Sequence, residues 1–312
     1  MSAERLAAPP AWGRVARFVG VTFAIDWALV GVMVLARVPL TGAAATAVGM
    51  AYMLVPALVV VVLARRWRIP LGRYGLRVPR RWELVLAPLA PMVITVLTVL
   101  VAVLWGFGEL DLSGHAFIER MQAQGQGQMA EAAARQMERL PVNVVLLAFL
   151  AAPLAGFTIN GLFGLGEELG WRGLLQRELA PLGFARSSAL IGLIWGVWHA
   201  PLILLGQNFP EHPRLGVLVM TVACVLLGII LSWLALRAQT VLAAAVGHGT
   251  LNALAGVPMM SLRGGSNLEI LQLGYAGIAA MALLVVAALI WAPSPPLYGE
   301  DEPAAMPAVP RS

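Results

Sequence analysis

The stretch VNVVLLAFLAAPLAGFTINGLFGLGEELGWR, residues 142–172, decides how the chain is read. Its first part, Val142 to Phe163, carries no charge. A helix of that length crosses a hydrocarbon core of about 30 Å. The run then ends on two adjacent carboxylates, Glu167 and Glu168, and an arginine, Arg172. A charge within a membrane span costs about 2.5–3.5 kcal/mol on insertion scales, so each of these residues needs a physical reason to be there.

The composition agrees with a membrane setting. Of 312 residues, 60% are hydrophobic and 12% charged, and the mean hydropathy is +0.82. Soluble domains carry about 25% charged residues. A secreted disulfide scaffold, a disordered regulator and an ordinary nucleic-acid-binding domain are excluded, and no nucleic-acid partner is expected. The fold class is therefore all-α and polytopic. About eight spans are predicted, at Phe18–Ala36, Gly42–Ala64, Leu84–Gly106, Val142–Phe163, Ser187–Gly206, Leu215–Leu236, Val241–Val257 and Leu273–Trp291. Backbone polar groups in lipid must be satisfied internally, which makes these spans helices.

All 21 basic residues are arginine. They concentrate before the first span, between the second and third (Arg65 to Arg81), after the fourth (Arg172, Arg177, Arg186) and after the sixth (Arg237). With eight spans these connections share one side, which the positive-inside rule makes cytoplasmic. Both termini are then cytoplasmic, and the acidic connection from Phe107 to Pro141 faces outward. Within it, Met121–Met129 reads as a flexible loop and Ala130–Leu140 as a short surface helix. The organisation expected is a lead (1–17), helices with the outward loop (18–140), a polar core (141–257), a last loop and helix (258–292) and a disordered tail (293–312). The first apolar run resembles a retained helix rather than a cleaved signal.

Candidate functional groups inside spans are Asp26, His199, His248 and Asn252, and the Glu167–Glu168 pair follows the fourth apolar run. Pro153, Gly156, Gly161, Gly164 and Gly166 suggest a break, with the Glu pair opening a second short helix. Glu168 and Arg172 are four apart and form an ion pair in the favourable order. Glu167, about 100° round the helix, has no such partner and is free to face a cavity. Trp195 lies one turn before His199 and walls it. Pro201 just beyond opens space near the imidazole. His248 and Asn252 share a face, and the flanking Gly247 and Gly249 admit a close neighbour. His199 lies roughly 18 Å and His248 roughly 12 Å from the Arg-rich side at 1.5 Å per residue. One shared cavity is expected. Asp26 either hydrates it or pairs with an arginine, Cys224 is a buried hydrophobe, and His115 and His212 are solvated.

Gly-x-Ser-x-Gly, His-Glu-x-x-His, an aspartyl dyad in spans and a P-loop are all absent. What remains is a carboxylate, two imidazoles and an amide. A Glu with a His can hold and deprotonate a water, and a His with an Asn can donate to an oxyanion.

Glu167-Glu168-x-x-x-Arg172, Trp195-x-x-x-His199 and His248-x-x-x-Asn252, in that order, resemble the signature of the CAAX protease and bacteriocin-processing (CPBP) family. That family consists of integral-membrane endopeptidases and includes the type II prenyl-CAAX endopeptidases. The resemblance covers roughly Val142 to Val257. It usually has Phe where Trp195 stands. It implies that Glu167 activates water with help from His199, that His248 and Asn252 are oxyanion donors, and that Glu168, Arg172 and Trp195 support them. A metal-free reaction is preferred. The alternative is a zinc enzyme with Glu167, His199 and His248 as ligands. A further alternative is a non-catalytic scaffold or bacteriocin-immunity protein. The expected substrate is a peptide or membrane protein, in a bacterial inner membrane.

Overall fold

The computed structural model describes residues 9–38, 42–78 and 82–291. The tail from 293 onward, read above as disordered, lies outside the described residues, as do Arg80 and Arg81. Eleven helices carry the architecture: α1 (Trp12–Leu35), α2 (Gly42–Trp67), α3 (Leu89–Leu104), α4 (His115–Ala123), α5 (Gly127–Glu138), α6 (Val144–Phe157), α7 (Ile159–Glu168), α8 (Phe184–Trp198), α9 (Pro213–Arg237), α10 (Val241–Leu254) and α11 (Tyr275–Trp291).

The protein is an all-α polytopic membrane protein. Six described helices are long and apolar enough to cross a bilayer, or seven if α6 and the bent segment Ile159–Glu178 count as one span. The fifth predicted span is the exception. Its helix, α8, stops after 15 residues at Trp198 and is followed by a short turn of helix, Ala200–Leu204. By contrast, α3, α10 and α11 reach spanning length together with the short helices beside them, as Glu83–Leu104, Val241–Ser261 and Asn267–Ala288. Pro201 lacks the N–H that would continue the ladder. Apolar side chains such as Leu58, Val62, Leu100, Leu154, Leu218 and Ile290 point outward, as lipid-facing residues do.

One expectation is corrected around α6 and α7. The break falls at Thr158 (φ −120°, ψ −118°), where the axis turns by 56°. The Glu pair therefore ends α7 rather than opening it. The break lies between Gly156 and Gly161, as the sequence suggested, but the glycines also serve as contact points: Gly156 and Gly164 meet α10, and Gly166 meets Met53 and Leu54 of α2. A Cβ at Gly164 would lie 2.7 Å from the carbonyl oxygen of Ala245, and one at Gly249 would lie 2.6 Å from the carbonyl carbon of Asn160. Gly156 similarly meets Thr250. Small residues let helix backbones approach closely in a membrane, and here they bring Glu167 and Glu168 against His248.

One end of the bundle gathers the arginine-rich segments. Arg14 pairs with Glu178 at 3.3 Å, Arg177 donates to the Arg73 carbonyl, and Thr240 donates to the carbonyls of Gly75 and Arg77. Tyr74 is buried there, and burial pushes its phenol up to about 12. At the other end, Glu109–Leu110 pairs antiparallel with Leu262–Arg263. Arg120 donates to the carbonyls of Leu262, Gly264 and Gly265, while Arg263 bridges Asp111 and Glu119. The hydroxyl and backbone N–H of Ser113 hold the Asp111 carboxyl below its usual range. Residues 121–129 are not a flexible loop. They complete α4 and begin α5, which pack on each other around Ile118, Met121 and Ala130.

The α7–α10 contact yields a direct test. Gly164→Leu overpacks a backbone contact and should destabilise by about 1–3 kcal/mol. Gly20→Leu, whose Cβ meets nothing within 4 Å, should be neutral. Thermal unfolding in detergent measures both, and equal midpoints for the two variants would contradict the contact.

Candidate active site

Three chain segments build the site. The first is the end of α7 and the turn after it. From Leu169 to Leu175 the backbone is a π-helix, a wider turn that occurs often at functional sites. It hangs Trp171 and Arg172 beneath the two carboxylates. Arg172 Nη1 donates to Glu168 Oε1 at 2.8 Å, and both side chains are fully buried. The guanidinium also sits 4.4 Å over the Trp195 ring, a cation–π contact. The ion pair read from spacing is present.

Glu167 is not without partners, as spacing suggested. Its Oε2 accepts from the indole N–H of Trp195 at 2.7 Å and, more weakly, from that of Trp171 at 3.4 Å. Two donors on one oxygen orient the carboxylate and leave Oε1 turned toward His248 Nε2, 4.0 Å away. Trp195 therefore does more than wall the pocket, and a phenylalanine there could not make this bond.

The second segment is the end of α8. His199 Nδ1 lies 2.8 Å from the Trp195 carbonyl. A carbonyl can only accept, so Nδ1 carries the hydrogen and Nε2 is left as an acceptor. Cys224 is buried, as expected of it, and its sulfur lies 3.9 Å from the same ring nitrogen. The third segment is α10. His248 Nδ1 lies 2.8 Å from Glu168 Oε1, so Glu168 Oε1 serves both Arg172 and His248. A carboxylate on one ring nitrogen sets the orientation of the other. Here that other atom is Nε2, which faces Glu167.

Trp195 joins the two histidines. Its ring centroid is 5.5 Å from that of His199 and 5.4 Å from that of His248. A cavity of about 270 Å³ is lined by Glu167, Trp195, His199, His248 and Asn252. Tyr52 and Met53 of α2 border it, as do Gln207, Asn208 and Leu273. The four side chains singled out for chemistry thus line one cavity, with Asn252 in its exposed part. His115 and His212 are exposed on the surface, as expected.

Sequence reasoning missed Trp171 and Tyr52. Trp171 is four residues after Glu167, the same spacing that exposed the Glu168–Arg172 pair. No local pattern marks Tyr52, which reaches the site only through tertiary packing. Among the described residues, no three His, Cys, Asp or Glu side chains are arranged to hold a metal ion.

Residues 139–254 match the family model described as type II CAAX prenyl endopeptidase Rce1-like. This is just over a third of the chain, and it contains every residue of the Glu-Glu-Arg, Trp-His and His-Asn motifs. The match is to a description of the same kind as the CPBP resemblance read from the three motifs. No curated protein and no solved structure matches the chain.

The buried ion pair supplies a stability test. Arg172→Ala leaves Glu168 without its guanidinium and should cost about 3–5 kcal/mol. Glu167→Gln keeps an acceptor for both indoles and should cost far less. Thermal unfolding of the two variants in detergent distinguishes them. An Arg172→Ala protein as stable as the parent would show that the pair is dispensable.

Proposed function

We propose, from the premise that residues 139–254 form an Rce1-like domain, that this protein is an intramembrane endopeptidase that splits a peptide bond with an activated water. One observation carries the proposal: Glu167 Oε1 and His248 Nε2 stand 4.0 Å apart in a cavity that His199 and Asn252 also line. A water there can touch both atoms.

The charge balance supports a division of labour. Arg172 offsets Glu168, so a neutral buried cluster holds one further proton between Glu167 and His248. With that proton on His248 Nε2, Glu167 is a carboxylate and acts as general base. Glu167 takes a proton from the water as its oxygen attacks the scissile carbonyl. His199 Nε2 accepts a hydrogen bond from the same water and orients it. The carbonyl oxygen gains negative charge and is met by the His248 Nε2–H and the Asn252 amide. Glu167 then gives its proton to the departing amine, and the carbon–nitrogen bond breaks. Glu168 and Arg172 hold His248, and Trp195 holds Glu167.

The substrate is a peptide or membrane-protein segment that reaches the cavity from the bilayer. The arginine-rich end of the bundle supports an orientation with both termini in the cytoplasm, in a bacterial inner membrane. A C-terminal alkaline phosphatase fusion should then be inactive and a green fluorescent protein fusion bright. The reverse pattern would overturn the orientation.

Glu167→Gln, His199→Ala and His248→Ala should each lower kcat by about 10²–10⁴-fold with the fold retained. Trp195→Phe keeps a ring but loses the donor to Glu167. A hydrogen bond to a charged group contributes about 1.5–3 kcal/mol, so a loss of about 10- to 100-fold is expected. Cleavage of a membrane-peptide library, with the parent as reference, reads all four. Full activity of Glu167→Gln would end the proposal. Chelator treatment should leave cleavage intact, whereas complete loss restored by added metal would overturn the metal-free reaction.

A further inference from the structure

Asp26 is a fully buried carboxylate in the middle of α1, outside the Rce1-like segment. The reaction above does not use it. Sequence reasoning left it to hydrate the cavity or pair with an arginine, and the structure does something else. Its Oδ2 accepts from the indole N–H of Trp198 at 2.7 Å, and its Oδ1 has no hydrogen-bond partner. An acidic group in a span is expensive, so a carboxylate held by a single indole calls for a function.

Trp198 is the last residue of α8, immediately before His199. Its ring packs edge-on against His199, with centroids 4.8 Å apart, and against Trp171 at 5.6 Å. Trp171 is in turn a donor to Glu167. The carbonyl of Trp198 is held as well: Tyr52 Oη donates to it at 2.6 Å and Trp27 Nε1 at 3.2 Å. The helix breaks at His199 and resumes as Ala200–Leu204; His199 N–H reaches the Gly196 carbonyl and Ile203 N–H the His199 carbonyl, while Pro201 has no N–H to add to the ladder. Three side chains from α1 and α2 therefore clamp both ends of the residue that carries His199.

We infer that Asp26 is a positioning residue: its bond to the Trp198 indole sets that ring, and through it His199 and Trp171, in the geometry needed for cleavage. The inference rests on the endopeptidase reading for its activity readout. The first two helices would then be working parts of the enzyme, although the family match begins only at residue 139.

The test uses the full chain in proteoliposomes with four variants: Asp26→Leu, Asp26→Asn, Trp198→Phe, and Asp26→Leu with Trp198→Phe. Asp26→Leu should lower kcat by about 10- to 100-fold, as a misplaced catalytic group does, with KM changed less than about twofold. Asparagine keeps an oxygen that can accept from the indole, so Asp26→Asn should stay within about threefold of the parent. Residues acting through one contact are not additive, so the double variant should be no worse than the poorer single one.

In protein labelled with ¹⁵N-tryptophan, the Trp198 indole resonance is assigned by its absence from Trp198→Phe. It should move in Asp26→Leu and stay near its parental position in Asp26→Asn. This readout does not need activity. If the parent cleaves nothing, the endopeptidase reading fails while the resonance still tests the contact. If Asp26→Leu does not fold, Trp198→Phe should show the same loss of kcat by itself. An unchanged kcat in Asp26→Leu or Trp198→Phe, additive losses in the double variant, or Asp26→Asn as impaired as Asp26→Leu would each overturn the inference.

Discussion

Glu168 is the residue on which the other interactions of the site depend. A single buried oxygen meets the guanidinium of Arg172 and the imidazole of His248, each at 2.8 Å. Removing ions from water costs several kcal/mol per ion, and attraction repays that only when geometry and hydrogen bonding are good. Here the repayment comes from contacts across the fold. The π-turn carries Arg172 under Glu168, the Trp195 ring lies against the guanidinium, and α10 delivers His248. Without Arg172, Glu168 would be a charge left without compensation in a low-dielectric interior. The ion cluster is thus the reason the glycine contacts between α7 and α10 matter, because they set the distance from Glu168 to His248.

The same arrangement divides two adjacent carboxylates between two tasks. Glu168 is consumed by structure. Glu167 has one oxygen tied to indoles and the other directed at the cavity. Indole N–H groups suit this purpose. They orient a carboxylate without supplying a full positive charge.

Much of this was legible in the sequence because helices convert spacing into direction. The four-residue intervals from Glu168 to Arg172, Trp195 to His199 and His248 to Asn252 each placed two side chains on one face, and the structure keeps those pairs together. The density of apolar residues marked the spans. What spacing could not supply is the meeting of segments far apart in the chain. The bond from His248 to Glu168 crosses 80 residues, and that from Trp198 to Asp26 crosses 172. The glycines were legible only in part, for a physical reason. A glycine lowers helix propensity and also permits close approach, and only the neighbour tells which effect operates. The stretch around Met121–Met129 looked mobile by composition, yet Ile118, Met121 and Ala130 pack between α4 and α5 and order it.

The central claim is that Glu167, His199, His248 and Asn252 surround one reacting water. The most direct measurement is an experimental structure with a tetrahedral peptide analogue, such as a phosphonamidate, bound to the full chain. The account predicts one analogue oxygen at roughly 2.6–3.2 Å from Glu167 Oε1 and another within the same range of His248 Nε2 or the Asn252 amide. An analogue seated away from Glu167, or a Glu167 carboxylate separated from both imidazoles, would contradict it.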